Sequence, residues 1–161
     1  VKAAHIVMEG LSPPIIKRKT SVNGHWEFPH EMGDAKKVGF IYVIFDKYLK
    51  RAYLGKKLYR GAGKLNKGKE SDWRKYVSSS SLVKLLLEER PLEEFEFICI
   101  EEYATKGTLS YAETWSLCLV EAPTSRVWYN TRIEPVSWSV KEPVSERHKA
   151  RLAEIIKRIG E

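Results

Sequence analysis

The stretch from Gly39 to Lys57, GFIYVIFDKYLKRAYLGKK, decides how this chain is read. Its first half alternates Phe40, Tyr42 and Ile44 against Ile41, Val43 and Phe45, aromatic or β-branched throughout, which predicts a strand covered on both faces. A second strand is expected over 52–58, and the hairpin-sized connection DKYLKR makes the two antiparallel neighbours. Any register in which paired residue numbers sum to an odd value puts Tyr42 and Tyr53 on one face. Two phenols then sit side by side, with Lys56 and Lys57 just beyond them.

Outward from this hairpin the pattern changes. Residues 1–35, broken by SPP and FPHEMGD and carrying the basic knot KRK, read as an arm or a loose cap. Residues 60–70 mix glycines with basic side chains, cannot build a core, and are expected to form a mobile cationic loop. ESDWRKY, residues 70–76, reads as a helix start that Ser71 or Asp72 would cap, with Arg74 and Tyr76 in its first turns. After a serine run, SLVKLLLEER has apolar residues at helical spacing and stops before Pro91. FEFICI, residues 95–100, is the third strand. TLSYAETWSLCLVEA, residues 108–122, is a helix apolar almost all round. SERHKARLAEIIKRIG closes the chain as a helix capped by Ser145, with Leu152, Ile155, Ile156 and Ile159 on one stripe and basic side chains elsewhere.

A chain of 161 residues, 43% apolar and 30% charged, has the size and composition of one globular domain. No apolar run approaches the roughly eighteen residues of a membrane span, so no membrane crossing is expected, and the two cysteines, without CxxC or ligand spacing, fit a reducing, intracellular setting. Cys99 and Cys118 lie in apolar runs without ligand spacing and read as small core residues. His5, His25, His30 and His148 form no HxxxH pair, so zinc is not expected.

Charge is more informative. Residues 1–75 hold 17 Lys/Arg against 7 Asp/Glu, whereas residues 76–161 hold 11 against 14. Between Lys47 and Lys75 there are 11 basic residues and two acids, Glu70 and Asp72. Such a stripe suits an anionic polymer, since each phosphate neutralised releases counterions. Glu113 intrudes on the apolar helix beside Leu109, Ala112, Ser116, Leu117 and Val120. A buried carboxylate needs compensation, so Glu113 either ties helix to sheet through a lysine or serves chemistry.

FIY at 40–42 and YLG at 53–55, the helical Glu113 and the later Tyr129-Asn130, in that order, resemble the GIY-YIG nuclease family over roughly residues 39–130. Within it, YLGKK followed by ESDW and a serine-rich turn resembles the phage-encoded, homing-type (SegE-like) endonucleases. Phe40 stands where the family has glycine and Leu54 where it has isoleucine; both keep strand character. The resemblance implies an α/β (α+β) domain over 36–135, a small three-stranded antiparallel sheet flanked by helices, between an N-terminal arm and a basic helix at 136–161. It implies cleavage of DNA phosphodiesters with one divalent ion, magnesium or manganese. Tyr42 matches the tyrosine that accepts the proton of the attacking water, provided nearby cations depress its pKa from about 10. Tyr53 would position water or phosphate, Glu113 would hold the metal, and Asn130 matches a late asparagine read as structural. The family arginine is assigned to Arg74, ahead of Arg60 or Lys64. Lys57 is the expected second phosphate contact, with Lys56 pointing away, and Tyr76 either supports the site or packs in the core. Arg60, Lys64, Lys67 and Lys69 would track the DNA backbone. The final helix looks like the modular helix that follows such domains, with Arg147, Lys149 and Arg151 as possible DNA contacts beside ordinary packing. A silent nucleic-acid-binding module of the same fold and a branched-DNA or repair nuclease are the alternative readings. The expected setting is the cytoplasm of a bacterial or phage-infected cell, and oligomeric state is open.

Overall fold

β1 (Gly39–Asp46) is buried along its whole length, as its two-sided apolar pattern requires. It is the middle strand of an antiparallel sheet ordered β2-β1-β3, with β2 at Arg51–Leu58 and β3 at Phe95–Tyr103. The computed structural model describes residues 22–136 and 139–160. Among the described residues three α-helices accompany the sheet: α1 (Ser81–Glu89), α2 (Lys106–Leu119) and α3 (Glu146–Gly160). The expected α+β architecture, a three-stranded antiparallel sheet flanked by helices, is the one this chain adopts.

Side-chain alternation along β1 divides the core in two. Ile41, Val43 and Phe45 face α2 and α3, packing with Leu54, Leu109, Ala112, Leu117, Leu152 and Ile155. Phe40, Tyr42 and Ile44 face the other way, onto Trp26, Met32, Tyr59, Trp73 and Val83. Tyr42 pairs with Gly55 and Ile44 with Tyr53, an odd-sum register, so the two phenols share a face diagonally with ring centroids 6.3 Å apart.

Asp46 ends β1 as a fully buried carboxylate. Arg90 grips it with two guanidinium hydrogen bonds of 2.5 and 2.9 Å, Tyr129 donates its hydroxyl at 2.8 Å, and the Tyr48 and Leu49 amides donate to it from the hairpin turn. Burial opposes the charge, but these donors, Arg90 foremost, hold its carboxyl below the usual range. One side chain thus ties the hairpin to the end of α1 and to the segment before Asn130.

Several sequence expectations are corrected. Within the expected arm, residues 22–35 belong to the domain: Trp26 and Met32 are in the second core, and Glu27 bridges to Ile98 on β3; residues 1–21 lie outside the described residues. ESDWRKY forms turns rather than a helix. The carbonyls that a helix would use are taken by that same segment, since Trp73 O accepts from Trp26 Nε1 at 2.7 Å and Arg74 O from the His25 amide at 3.3 Å. Cys118 is exposed near the end of α2, whereas Cys99 is buried. The 60–70 loop folds back on itself, with Arg60 bridging to Glu70 and Gly61 to Lys67. The final helix, α3, packs into the main core, as the ordinary-packing reading of its stripe has it. Ser145 Oγ accepts from the His148 amide at 3.0 Å as the expected cap, and Leu152 and Ile155 are buried. Of its stripe, Ile156 stays exposed.

Candidate active site

β2 is an edge strand, and its free edge is closed by the chain returning from α2. The Ala52 amide donates to Val127 O at 2.9 Å and Ala52 O accepts from the Tyr129 amide at 2.7 Å. Two residues further along β2, at Leu54, Asn130 continues the ladder with its side chain: Oδ1 accepts from the Leu54 amide at 2.9 Å and Nδ2 donates to Leu54 O at 2.7 Å. Its amide therefore stands in for a peptide group, a structural use of the residue. Beyond it the edge opens into a cleft of about 660 Å³.

The cleft straddles β2 and joins its two faces. On the side of α2 it is lined by Lys56, Glu113, Arg132 and Glu134; on the other by Tyr53, Lys57, Tyr76, Ser79 and Arg60, with Gly55 between them. Glu113 projects from α2, and Lys56 Nζ lies 3.2 Å from its Oε1 and 3.2 Å from Ser110 Oγ. Burial raises the Glu113 pKa, Lys56 opposes the rise through its ammonium and main-chain N–H, and the Glu134 carboxylate adds to it. The basic side chain read as pointing away is thus the one that meets the glutamate, because Lys56 shares strand parity with Leu54 and faces α2. Lys57 faces the phenols instead; its Nζ pairs with Asp72 at 2.7 Å and lies 3.9 Å from the centre of the Tyr76 ring.

Tyr42 is 1% exposed and stands behind this wall. Its hydroxyl reaches toward the cleft because Gly55 has no side chain: a Cβ there would lie 2.5 Å from Tyr42 Oη. The glycine of YLG is thus the window for the tyrosine of FIY. Tyr42 hydrogen-bonds with Tyr76 and Ser78, and Tyr53 Oη lies 3.4 Å from Ser79 Oγ. The expected depression of the Tyr42 pKa is reversed. Burial, then the Tyr76 and Tyr53 phenols, push it well above its ordinary value, while the Lys57 ammonium is engaged by Asp72 and the Tyr76 ring. Tyr76 itself is raised by burial.

Arg74 does not line the cleft. Its guanidinium bonds Glu70 and the Val22 carbonyl and stacks on Trp73 at 4.2 Å, so it braces the turn. Arg60 does line the cleft, at the mouth of the loop. Lys64, Lys67 and Lys69 are exposed on that loop outside the lining. Arg147 bonds Glu101, Arg151 donates to Cys99 O at 3.1 Å, and Lys149 pairs with Glu146. Arg147 and Arg151 are thus held at β3, with β1 between them and the cleft. Lys56, Arg132 and Ser79 were missed by the sequence reading; for Lys56 the strand parity was a usable signal.

Residues 25–133 match the family model described as "Putative endonuclease segE, GIY-YIG domain". The chain belongs to the GIY-YIG endonuclease family. The match begins at His25, inside the segment that packs on the second core, and ends just past Asn130. No curated protein and no solved structure matches the chain. Membership makes the domain that of a nuclease; the open edge of β2 brings Tyr53 and Glu113 around one space, with Tyr42 behind Gly55. Among the described residues no helix is long and apolar enough to cross a membrane.

Proposed function

We propose that this GIY-YIG protein is a divalent-metal-dependent DNA endonuclease of the phage or mobile-element homing type, acting inside the cell. The observation that carries the reading is the cleft itself, where Tyr53, Gly55 with Tyr42 behind it, Lys57, Arg60 and Glu113 surround one space wide enough for a phosphodiester. The homing type rests on the likeness of YLGKK, ESDW and the serine run to that group.

The donor set fits a hard cation. Glu113 is a largely buried carboxylate whose charge burial disfavours, and the Lys56 ammonium at 3.2 Å already stands where positive charge is favoured. Among the described residues no three His, Cys, Asp or Glu side chains gather into a metal-holding group. Magnesium and manganese suit such a site, since they are often held by one carboxylate and keep water and phosphate as their other ligands. Glu113 would hold the ion, which supplies charge neutralisation at the attacked phosphate. Lys57 and Arg60 bind phosphate oxygens, and the guanidinium offers paired donors for them. Tyr53 orients the phosphate from the cleft wall. Tyr42, reaching over Gly55, takes the proton of the attacking water. With its pKa raised, the proton-accepting phenolate is scarce at neutral pH, so turnover is limited by its population.

Supercoiled plasmid incubated with the protein is expected to be cut with magnesium and left intact in EDTA. Glu113→Gln should keep the fold and DNA binding while losing at least about a hundredfold in rate, as removal of a metal ligand does. Wild-type turnover in EDTA would sink the metal-dependent reading. DNA binding without any cutting would make the protein a silent binding module.

A further inference from the structure

Leu65 is 88% exposed, at the far end of a loop that begins in the cleft wall with Arg60, Gly61 and Ala62. A single exposed leucine is ordinary. Three observations set this one apart. First, the loop is folded by its own backbone: the Gly61 amide donates to Lys69 O at 2.9 Å, the Gly68 amide to Gly61 O at 3.2 Å, and the Lys69 amide to Asn66 O at 3.0 Å. Gly68 adopts φ +76, and a Cβ on Gly61 would lie 2.4 Å from Asn66 O, so the chain folds tightly back on itself. Secondly, Lys64, Lys67 and Lys69 surround the leucine, all exposed, and among the described residues no acid forms an ion pair with them. Thirdly, the loop is continuous with the cleft, so what it grips lies beside the reacting phosphate.

We propose that residues 60–70 form a minor-groove wedge: the lysines hold phosphates while Leu65 inserts at a base step, unstacking it and bending the duplex toward the cleft. The partner is double-stranded DNA at a deformable step. Leucine offers no hydrogen bond to a base edge and lysine no fixed fork, so the wedge selects steps by ease of unstacking rather than by a donor and acceptor code. Apolar side chains set among basic ones are the means by which proteins pry base steps open from the minor groove. The wedge rests on the nuclease reading, since it assigns that cleft its substrate geometry.

The test uses the Glu113→Gln protein, so that binding is read without cutting, on two matched duplexes, one intact and one with a single-nucleotide bulge that lowers the cost of unstacking. The parent should bind the bulged duplex about tenfold more tightly. Leu65→Ala should bring that ratio near unity, with affinity for the intact duplex and its salt dependence little changed, and Leu65→Phe should preserve the ratio. Replacing Lys64, Lys67 and Lys69 together should flatten the slope of log K against log salt by up to about three. A parent without preference, or a Leu65→Ala protein that keeps it, overturns the wedge. Self-association that Leu65→Ala abolishes while the DNA ratio stays would make Leu65 a contact between copies, and overturn it too. A wild type that cuts plasmid without a Leu65-dependent ratio loses the wedge alone; one that neither binds nor cuts DNA loses the nuclease reading and the wedge with it.

Discussion

Tyr42 shows how one side chain can be identified from sequence while its ionisation cannot. Its strand parity with Tyr53 follows from alternation, and the register Tyr42–Gly55 places its hydroxyl at the one residue of β2 that leaves room for it. The pKa shift depends on what closes over the ring, namely Trp26 at 5.0 Å and Tyr76 at 6.0 Å, both from outside the hairpin. If Tyr42 is the proton acceptor and its pKa is raised, the phenolate fraction grows tenfold per pH unit throughout the neutral range. Turnover at saturating magnesium should therefore climb steadily from about pH 6 to 9 without a plateau, and Tyr42→Phe should lose both the rate and the climb at little cost in stability. A wild-type plateau near pH 7, or a Tyr42→Phe enzyme with the same profile, would remove Tyr42 as the base. Gly55→Ala tests the same geometry from the other side. The new methyl must displace the Tyr42 hydroxyl, so the rate should fall by more than tenfold while overpacking costs about 1–3 kcal/mol in urea titrations.

Strands and long helices were legible because their periodicity is carried by their own residues, as in β1 and α2. The turn at 70–76 was not, because its conformation is dictated from 22–35, a segment with no period of its own. Trp26 and His25 occupy the carbonyls of Trp73 and Arg74, and so convert a capped helix start into a brace. The consequence for the site is that the arginine assigned by position does not face the cleft, whereas Arg60, four residues after Lys56, does. Arg60→Ala should accordingly depress turnover about a hundredfold or more with a smaller effect on binding, as loss of a donor to transition-state charge does. Arg74→Ala should stay within a few-fold of wild type in rate and show its effect as a lowered melting temperature. Steady-state rates and melting curves on the two variants decide the matter; an Arg74→Ala protein that is folded but inactive would return the role to Arg74.

At the scale of the whole molecule, α3 is fixed to the sheet by a buried polar chain that periodicity could not reveal. His148 is fully buried. Its Nδ1 lies 3.0 Å from Tyr103 Oη and its Nε2 2.6 Å from Ser116 Oγ, while Ser116 donates to Ala112 O at 2.7 Å and the Ser145 amide donates to Tyr103 Oη at 3.3 Å. With the Ser116 hydrogen spent on Ala112, Nε2 carries the imidazole proton and Nδ1 accepts from Tyr103, a neutral tautomer with both nitrogens satisfied. Burial lowers its pKa to about 4, only partly opposed by the negative charge of Glu101. The unfolded chain takes up a proton near pH 6.5 that the folded protein refuses until about pH 4, so the neutral imidazole contributes full stability above pH 6.5 and loses it as pH falls. The loss should reach about 1.4 kcal/mol by pH 5.5 and about 3 kcal/mol near pH 4. Urea midpoints measured from pH 7.5 to 5 should follow that slope, and one imidazole in the NMR spectrum of the folded protein should remain neutral down to pH 5. A flat stability profile over this interval, or four histidines that all titrate near pH 6.5, would mean that the helix is held to the sheet without a neutral buried imidazole.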